Sequence, residues 1–157
     1  MQGFNIAEQG HVVNILPPID ISGGANCDVF SMENYGHATI IVQVGVSAAA
    51  FTSIVVKECT SLAAAGATAI AFSYYKEETA AGDTLTTKQS ATTAGITPSA
   101  NDTIMYVIEL DARELSDGYG FVQVALANTS PNSVIASAVA ILSGARYGNP
   151  ASATAIA

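Results

Sequence analysis

Two histidines, His11 and His37, and two cysteines, Cys27 and Cys59, are the whole supply of imidazole and thiol in this chain, and tryptophan is absent. A histidine can serve as a base or a pH-operated switch near neutrality. To activate a nucleophile it needs a serine or cysteine held in a positioned motif, and no GxSxG is present. His11 and His37 therefore read as polar residues at strand starts. The four residues show no CxxC or HxxxH spacing, so they predict no metal site. Cys27 and Cys59 read as buried free thiols, behaving as small hydrophobes in a reducing compartment, in preference to a disulfide.

The acidic residues are weighed in the same way. Glu77, Glu78 and Asp83 form the densest patch, beside Tyr74, Tyr75 and Lys76. A divalent-cation site or a glycosidase-like pair would require the carboxylates to converge. Adjacent residues on a strand point to opposite faces, so Glu77 and Glu78 would not share one substrate, and the patch reads as a solvated turn. Asp111, Glu114 and Asp117 lack the alternating acids and closing glutamate of an EF-hand loop; capping and turn chemistry account for them. Gly23-Gly24 lacks the spacing of a phosphate cradle. Tyr74, Tyr75 and Tyr147 have no basic neighbours beyond Lys76 and Arg146, which argues against base stacking and leaves sugar stacking as a minor idea beside plain packing. No catalytic, cofactor-binding or metal-binding residue is assigned: the expectation is a protein that is not an enzyme and needs no cofactor.

The bulk numbers narrow the partners. The 157 residues carry 5 basic and 13 acidic side chains, a net charge of −8. Clustered Lys and Arg are needed to hold phosphates, whereas Lys57, Lys76, Lys88, Arg113 and Arg146 are scattered, so nucleic acid is not an expected partner. The acidic balance also disfavours an anionic membrane surface, and no apolar run approaches the roughly 18 residues of a spanning helix. Residues 1–10 have neither a basic nor an apolar signal region, so the protein is expected in a cytosol until assembly. Only 11% of residues are charged, under half the roughly 25% of ordinary globular domains. Such a surface suits coverage in an assembly, and equally a compositional habit of the source.

Strands must position whatever chemistry exists. His11 to Leu16 reads as a first strand stopped by Pro17 and Pro18. Asp28 to Met32 is a short strand. Ala38 to Val46 puts Ile40, Val42, Val44 and Val46 on one face. Ser53 to Cys59 follows, and the two read as an antiparallel pair. Ser61 to Ala67 suggests one helical turn, Ala67 to Tyr75 a strand, Lys76 to Asp83 a polar turn, and Leu85 to Thr93 an edge strand. Thr103 to Asp111, apolar on both faces, predicts a central strand; Ala112 to Leu115 predicts a helical turn capped by Asp111. Phe121 to Asn128 and Val134 to Ser143 complete the set around a turn at 128–132. The predicted fold is all-β: an antiparallel β-sandwich, jelly-roll-like, in one domain over residues 11–147. Residues 1–10 form an extended N-terminal arm and residues 148–157 a flexible C-terminal tail.

Several segments, NIAEQG (5–10), LPPIDI (16–21), HATIIVQVG (37–45), AIAFSYYKEET (69–79) and YVIELDARELSDGY (106–119), resemble small virion proteins of tailed bacteriophages. The resemblance spans most of the chain and carries over no catalytic residue. It implies a head-associated structural protein, a capsid decoration (cement) protein. The implied partners are the major capsid protein and the chain itself as a homotrimer. The implied place is the outer capsid surface of a virion assembled in the host cytoplasm. A tail-tube, neck or head–tail joining protein, and a carbohydrate- or receptor-binding module, remain the alternative expectations.

Overall fold

Alternation of Ile40, Val42 and Val44 with Ile41 and Gln43 makes a strand whose one face is buried and whose other is half exposed. The computed structural model, which describes residues 3, 5–47, 49–78, 83–100, 103–129 and 132–147, extends that strand to Tyr35–Ser47. In chain order the elements are α1 (Ile6–Gln9), β1 (His11–Asp20), β2 (Ala25–Asn26), β3 (Phe30–Ser31), β4 (Tyr35–Ser47), β5 (Ser53–Cys59), β6 (Thr68–Ala69), β7 (Phe72–Glu78), β8 (Gln89–Ala91), β9 (Ile104–Asp111), a 3-10 turn (Ala112–Glu114), β10 (Phe121–Ala127) and β11 (Val134–Ala145).

All strand pairings are antiparallel and fall into two sheets. The larger runs β1-β11-β4-β9-β7-β8 and the smaller β2-β10-β5-β6, with β3 also on β10. The pairs are nested: β1 with β11, β2 and β3 with β10, β4 with β9, β5 with β6. A long hairpin rolled up on itself gives that nesting, and it is the jelly-roll arrangement. The β7–β8 hairpin lengthens the larger sheet beyond β9.

The core lies between the sheets. In-register rows on the inner face each set one alanine among bulkier side chains: Val13, Ala140, Ile40 and Ile108 in one, Leu16, Ala138, Val42 and Tyr106 in the next. All eight are buried, and Ile54, Val56, Val122, Val124 and Leu126 of the smaller sheet belong to the same cluster. The alanines of β11 leave room for their large neighbours in the layer between the sheets.

Several expectations are corrected. β4 and β5 are not a pair: β4 sits between β11 and β9, and β5 lies in the other sheet. The connection crosses the sandwich because both strands bury one apolar face, which can be done from opposite sides of a core. Pro17 and Pro18 do not stop β1. Leu16 pairs with Ala138 and Ile19 with Ala136, so three steps on β1 match two on β11, and the prolines occupy that bulge on an edge strand. A similar slip on β4, with Ser47 opposite Val134 and Val44 opposite Ala136, turns Val46 out of the buried face and leaves it 69% exposed. The arm is not extended throughout, since Ile6–Gln9 forms a helical turn closed by the Gly10 N–H on the Ile6 carbonyl. Ser61 to Ala67 is not helical: the Thr60 amide bonds the Ala65 carbonyl at 2.9 Å, and Ala64 and Gly66 take positive φ values of 56° and 64°, which no right-handed helix admits. Ala67 to Tyr75 divides at Ile70 into β6 and β7, one in each sheet. The expected tail at 148–157 lies outside the described residues.

Candidate functional site on the outer face of the larger sheet

The β4–β9 register brings together residues that are distant in sequence. His37 stands opposite Asp111, and Thr39 opposite Glu109. Alternation sends these four side chains to the outer face, away from the buried Ala38, Ile40, Ile108 and Leu110. There the His37 ring is bracketed by carboxylates: Nε2 lies 2.7 Å from Glu109 Oε2, and Nδ1 lies 3.0 Å from Asp111 Oδ1. The Thr39 hydroxyl donates to the same Glu109 oxygen at 2.7 Å. Arg113 Nη2 donates to Asp111 Oδ2 at 3.0 Å, and the Asp111 amide donates to Glu114 at 2.8 Å, so the 3-10 turn is tied into the same cluster.

The electrostatics follow from this geometry. Partial burial of His37 by itself lowers its pKa, but the hydrogen bonds and charges of Asp111 and Glu109 outweigh it and hold the pKa above the ordinary histidine value. Asp111 is held below the usual carboxylate range, first by its hydrogen bond with His37 and then by Arg113. A carboxylate accepts and never donates when ionised. Both ring nitrogens therefore have good partners only in the imidazolium. The nitrogens point to opposite sides of the ring, so the two carboxylates do not converge on a common point. Among the described residues no group of His, Cys, Asp and Glu is arranged to hold a metal ion.

His37 lies on open sheet surface, and the described cavities are lined by other residues. A shallow groove of about 460 Å³ on the same face, toward the other end of β4 and β9, includes Pro18, Gln43, Glu77, Met105 and Ile135. Between the groove and the His37 cluster runs an in-register row, Val139, Ile41, Val107 and Tyr75, that crosses β11, β4, β9 and β7 without a charge.

The other residues singled out from sequence are dispersed. The His11 ring stacks on Tyr35, centroids 6.0 Å apart and planes at 11°. Glu77 stands opposite Met105 and Glu78 opposite Ile104 on adjacent positions of β7, and Asp83 is exposed beyond that strand. Tyr74 packs near the buried Tyr106, with ring centroids 6.4 Å apart. Its neighbour Tyr75 falls in the outer row, and Tyr147 is 79% exposed beyond β11, so the three tyrosines make no shared platform. Cys27 and Cys59 are free and buried. They flank β10 on opposite sides, the Cys27 amide bonding Val124 and Cys59 pairing with Phe121. Burial pushes the Cys27 thiol up to about 12, with the Asp28 charge adding to it.

Sequence reasoning placed Asp111 at a turn and missed its meeting with His37 and Glu109. The available signal was parity, since Glu109 and Asp111 share a face of one strand; the register that sets them beside His37 is written in no local pattern.

Neither family models nor curated proteins match this chain. Among solved structures, the crystal structure of the SPBc2 prophage-derived protein YomS is similar over 84% of this chain and 92% of that one, at 11% identity and a TM-score of 0.44. A likeness at that level assigns no function.

Proposed function

We propose that this chain is a non-enzymatic structural protein of a tailed-phage virion that decorates and stabilises the capsid as a homotrimer on its outer surface, bound to the major capsid protein. The observation that carries the reading is the outer face of the larger sheet. Six strands at about 4.8 Å spacing make a face roughly 25 Å wide. The uncharged row from Val139 to Tyr75 crosses its middle. A chain of net charge −8 repels copies of itself, and contact through a charge-free row costs least. The resemblance of the sequence segments to small phage virion proteins supports the same reading. In this reading the segment that precedes the edge strand β1, with its helical turn at Ile6–Gln9, reaches toward neighbouring subunits.

The test is native mass by light scattering, followed by binding of the purified protein to undecorated shells. A discrete trimer that saturates the shells supports the proposal, and deletion of residues 1–10 then lowers occupancy while the fold persists. A ring or open polymer moves the assignment to a tail or neck component. A monomer that ignores shells overturns it.

A further inference from the structure

The His37 cluster does something that no shell-binding role requires. Its ring has an acceptor on each side, Glu109 at 2.7 Å and Asp111 at 3.0 Å. A neutral imidazole carries one N–H, so it satisfies one carboxylate and turns a lone pair toward the other. The imidazolium satisfies both. We propose that His37, Glu109 and Asp111 form a pH-operated clasp across β4 and β9, closed when the ring is protonated and opened when it loses that proton.

The surroundings leave these three in control. From β9 the charged groups facing the ring are Glu109 and Asp111, and from the adjoining 3-10 turn Arg113 acts through Asp111. On the other flank β11 presents Ser143 opposite His37, and β7 presents Ser73 opposite Glu109; neither titrates. On β4 itself, Thr39 donates to Glu109 and Tyr35 is buried beneath His11. Glu114, whose carboxylate accepts from the Asp111 amide, adds a third acid beside the two cations His37 and Arg113. Opening the clasp removes one positive charge from this end of the sheet, and the strand pair loses a charge-assisted bond between residues 72 apart in sequence. The pH therefore sets both the charge of the face and the hold of β4 on β9 and its turn. This device is independent of any shell contact, and its test is made on the isolated full-length chain.

The experiment is an NMR titration of the two histidine rings from about pH 5 to about pH 8, with thermal unfolding over the same range. His37 is expected to titrate above the roughly 6.5 of an unperturbed histidine. Glu109→Gln is expected to move that midpoint down. The wild-type Tm should exceed that of His37→Gln at the acidic end, and the gap of a few degrees should close as pH rises past the midpoint. A His37 midpoint at or below the ordinary value, an unmoved midpoint in Glu109→Gln, or parallel Tm curves overturns the clasp. If His37→Gln does not fold, the two midpoints alone decide.

Discussion

Ile54 and Ile96 exchange both backbone hydrogen bonds, each 2.9 Å long, so the segment after β8 is pinned along β5 on the side away from β10. Gly95 makes that approach possible. It has φ +81°, and a Cβ there would overlap the Ile54 carbonyl and crowd Val55. Gly118 has nearly the same φ, +83°, with nothing near its missing Cβ. The two glycines separate backbone strain from collision. Gly118→Ala should cost about 1 kcal/mol from conformation alone. Gly95→Ala should cost about 3 kcal/mol or more, because the pinned backbone must shift as well. Urea unfolding of the two variants measures the difference; equal losses would mean that the close approach is not felt.

Ile40 and Ile108 are register partners at the centre of the larger sheet, each with no exposed surface. Truncating either removes buried methylenes and leaves a hole in a layer that has alanines on its flank. Ile40→Ala and Ile108→Ala should each cost about 2–5 kcal/mol, a large part of the 5–15 kcal/mol that holds a typical domain. Ile41→Ala, one residue along on the outer face, should cost well under half as much. Thermal and denaturant midpoints check the ranking. A loss at Ile41 as large as at Ile40 would reverse the assignment of faces.

Much of the fold was legible because one face of each sheet is buried. Period-two alternation delimits β5 at Ser53–Cys59 residue for residue and marks β9 as central through its apolar Met105 and Val107. Alternation says which residues share a face but not which strand lies beside which. The β4–β5 pairing failed for that reason, since neighbouring strands in sequence can close a sandwich from either side. Pro17, Pro18 and Val46 misled because bulges absorb an extra residue, and a bulge on an edge is compatible with any sequence that needs no inward amide there. The His37 cluster was hidden twice over: His37 and Asp111 lie 74 positions apart, and each had a sufficient local explanation as a strand-start and a capping residue.

The thiols give a third prediction. Cys27 and Cys59 are 2% and 0% exposed, and the thiolate is the reactive form. With the Cys27 pKa raised to about 12 and that of Cys59 raised by burial, neither should react with a thiol reagent near pH 8 in the folded chain. Both should react on unfolding. A disulfide should not form under mild oxidation, because β10 stands between them. Rapid labelling of native protein, or a non-reducing mass two protons lighter, would contradict this.

The acid limb of stability tests the other half of the His37 cluster. Asp111 has a folded pKa below its ordinary 3.8, held there first by the His37 hydrogen bond and then by Arg113. A lowered carboxylate pKa means that the unfolded chain takes up the proton first as pH drops. The stabilisation is therefore present above the unfolded value of about 3.9 and disappears as pH falls through the folded one. His37 has the opposite sign: its pKa is raised in the fold, so its contribution is full below about 6.5 and is lost as pH rises through the folded value. The two overlap between about pH 4 and pH 6.5, where the cluster holds hardest. Because the Asp111 side chain is 38% exposed, water screens the pair, and Asp111→Asn should cost at most about 1 kcal/mol in that window. The penalty should be smaller near pH 8, because His37 gives up its proton as pH rises through its raised folded value and leaves Arg113 as the remaining cation, and smaller again near pH 2, because the wild-type carboxyl takes up a proton as pH falls through its lowered folded value. Urea midpoints of both proteins at the three pH values make the comparison. A constant penalty across all three would trace the loss to packing or to the turn, and would remove ionisation of Asp111 from the account.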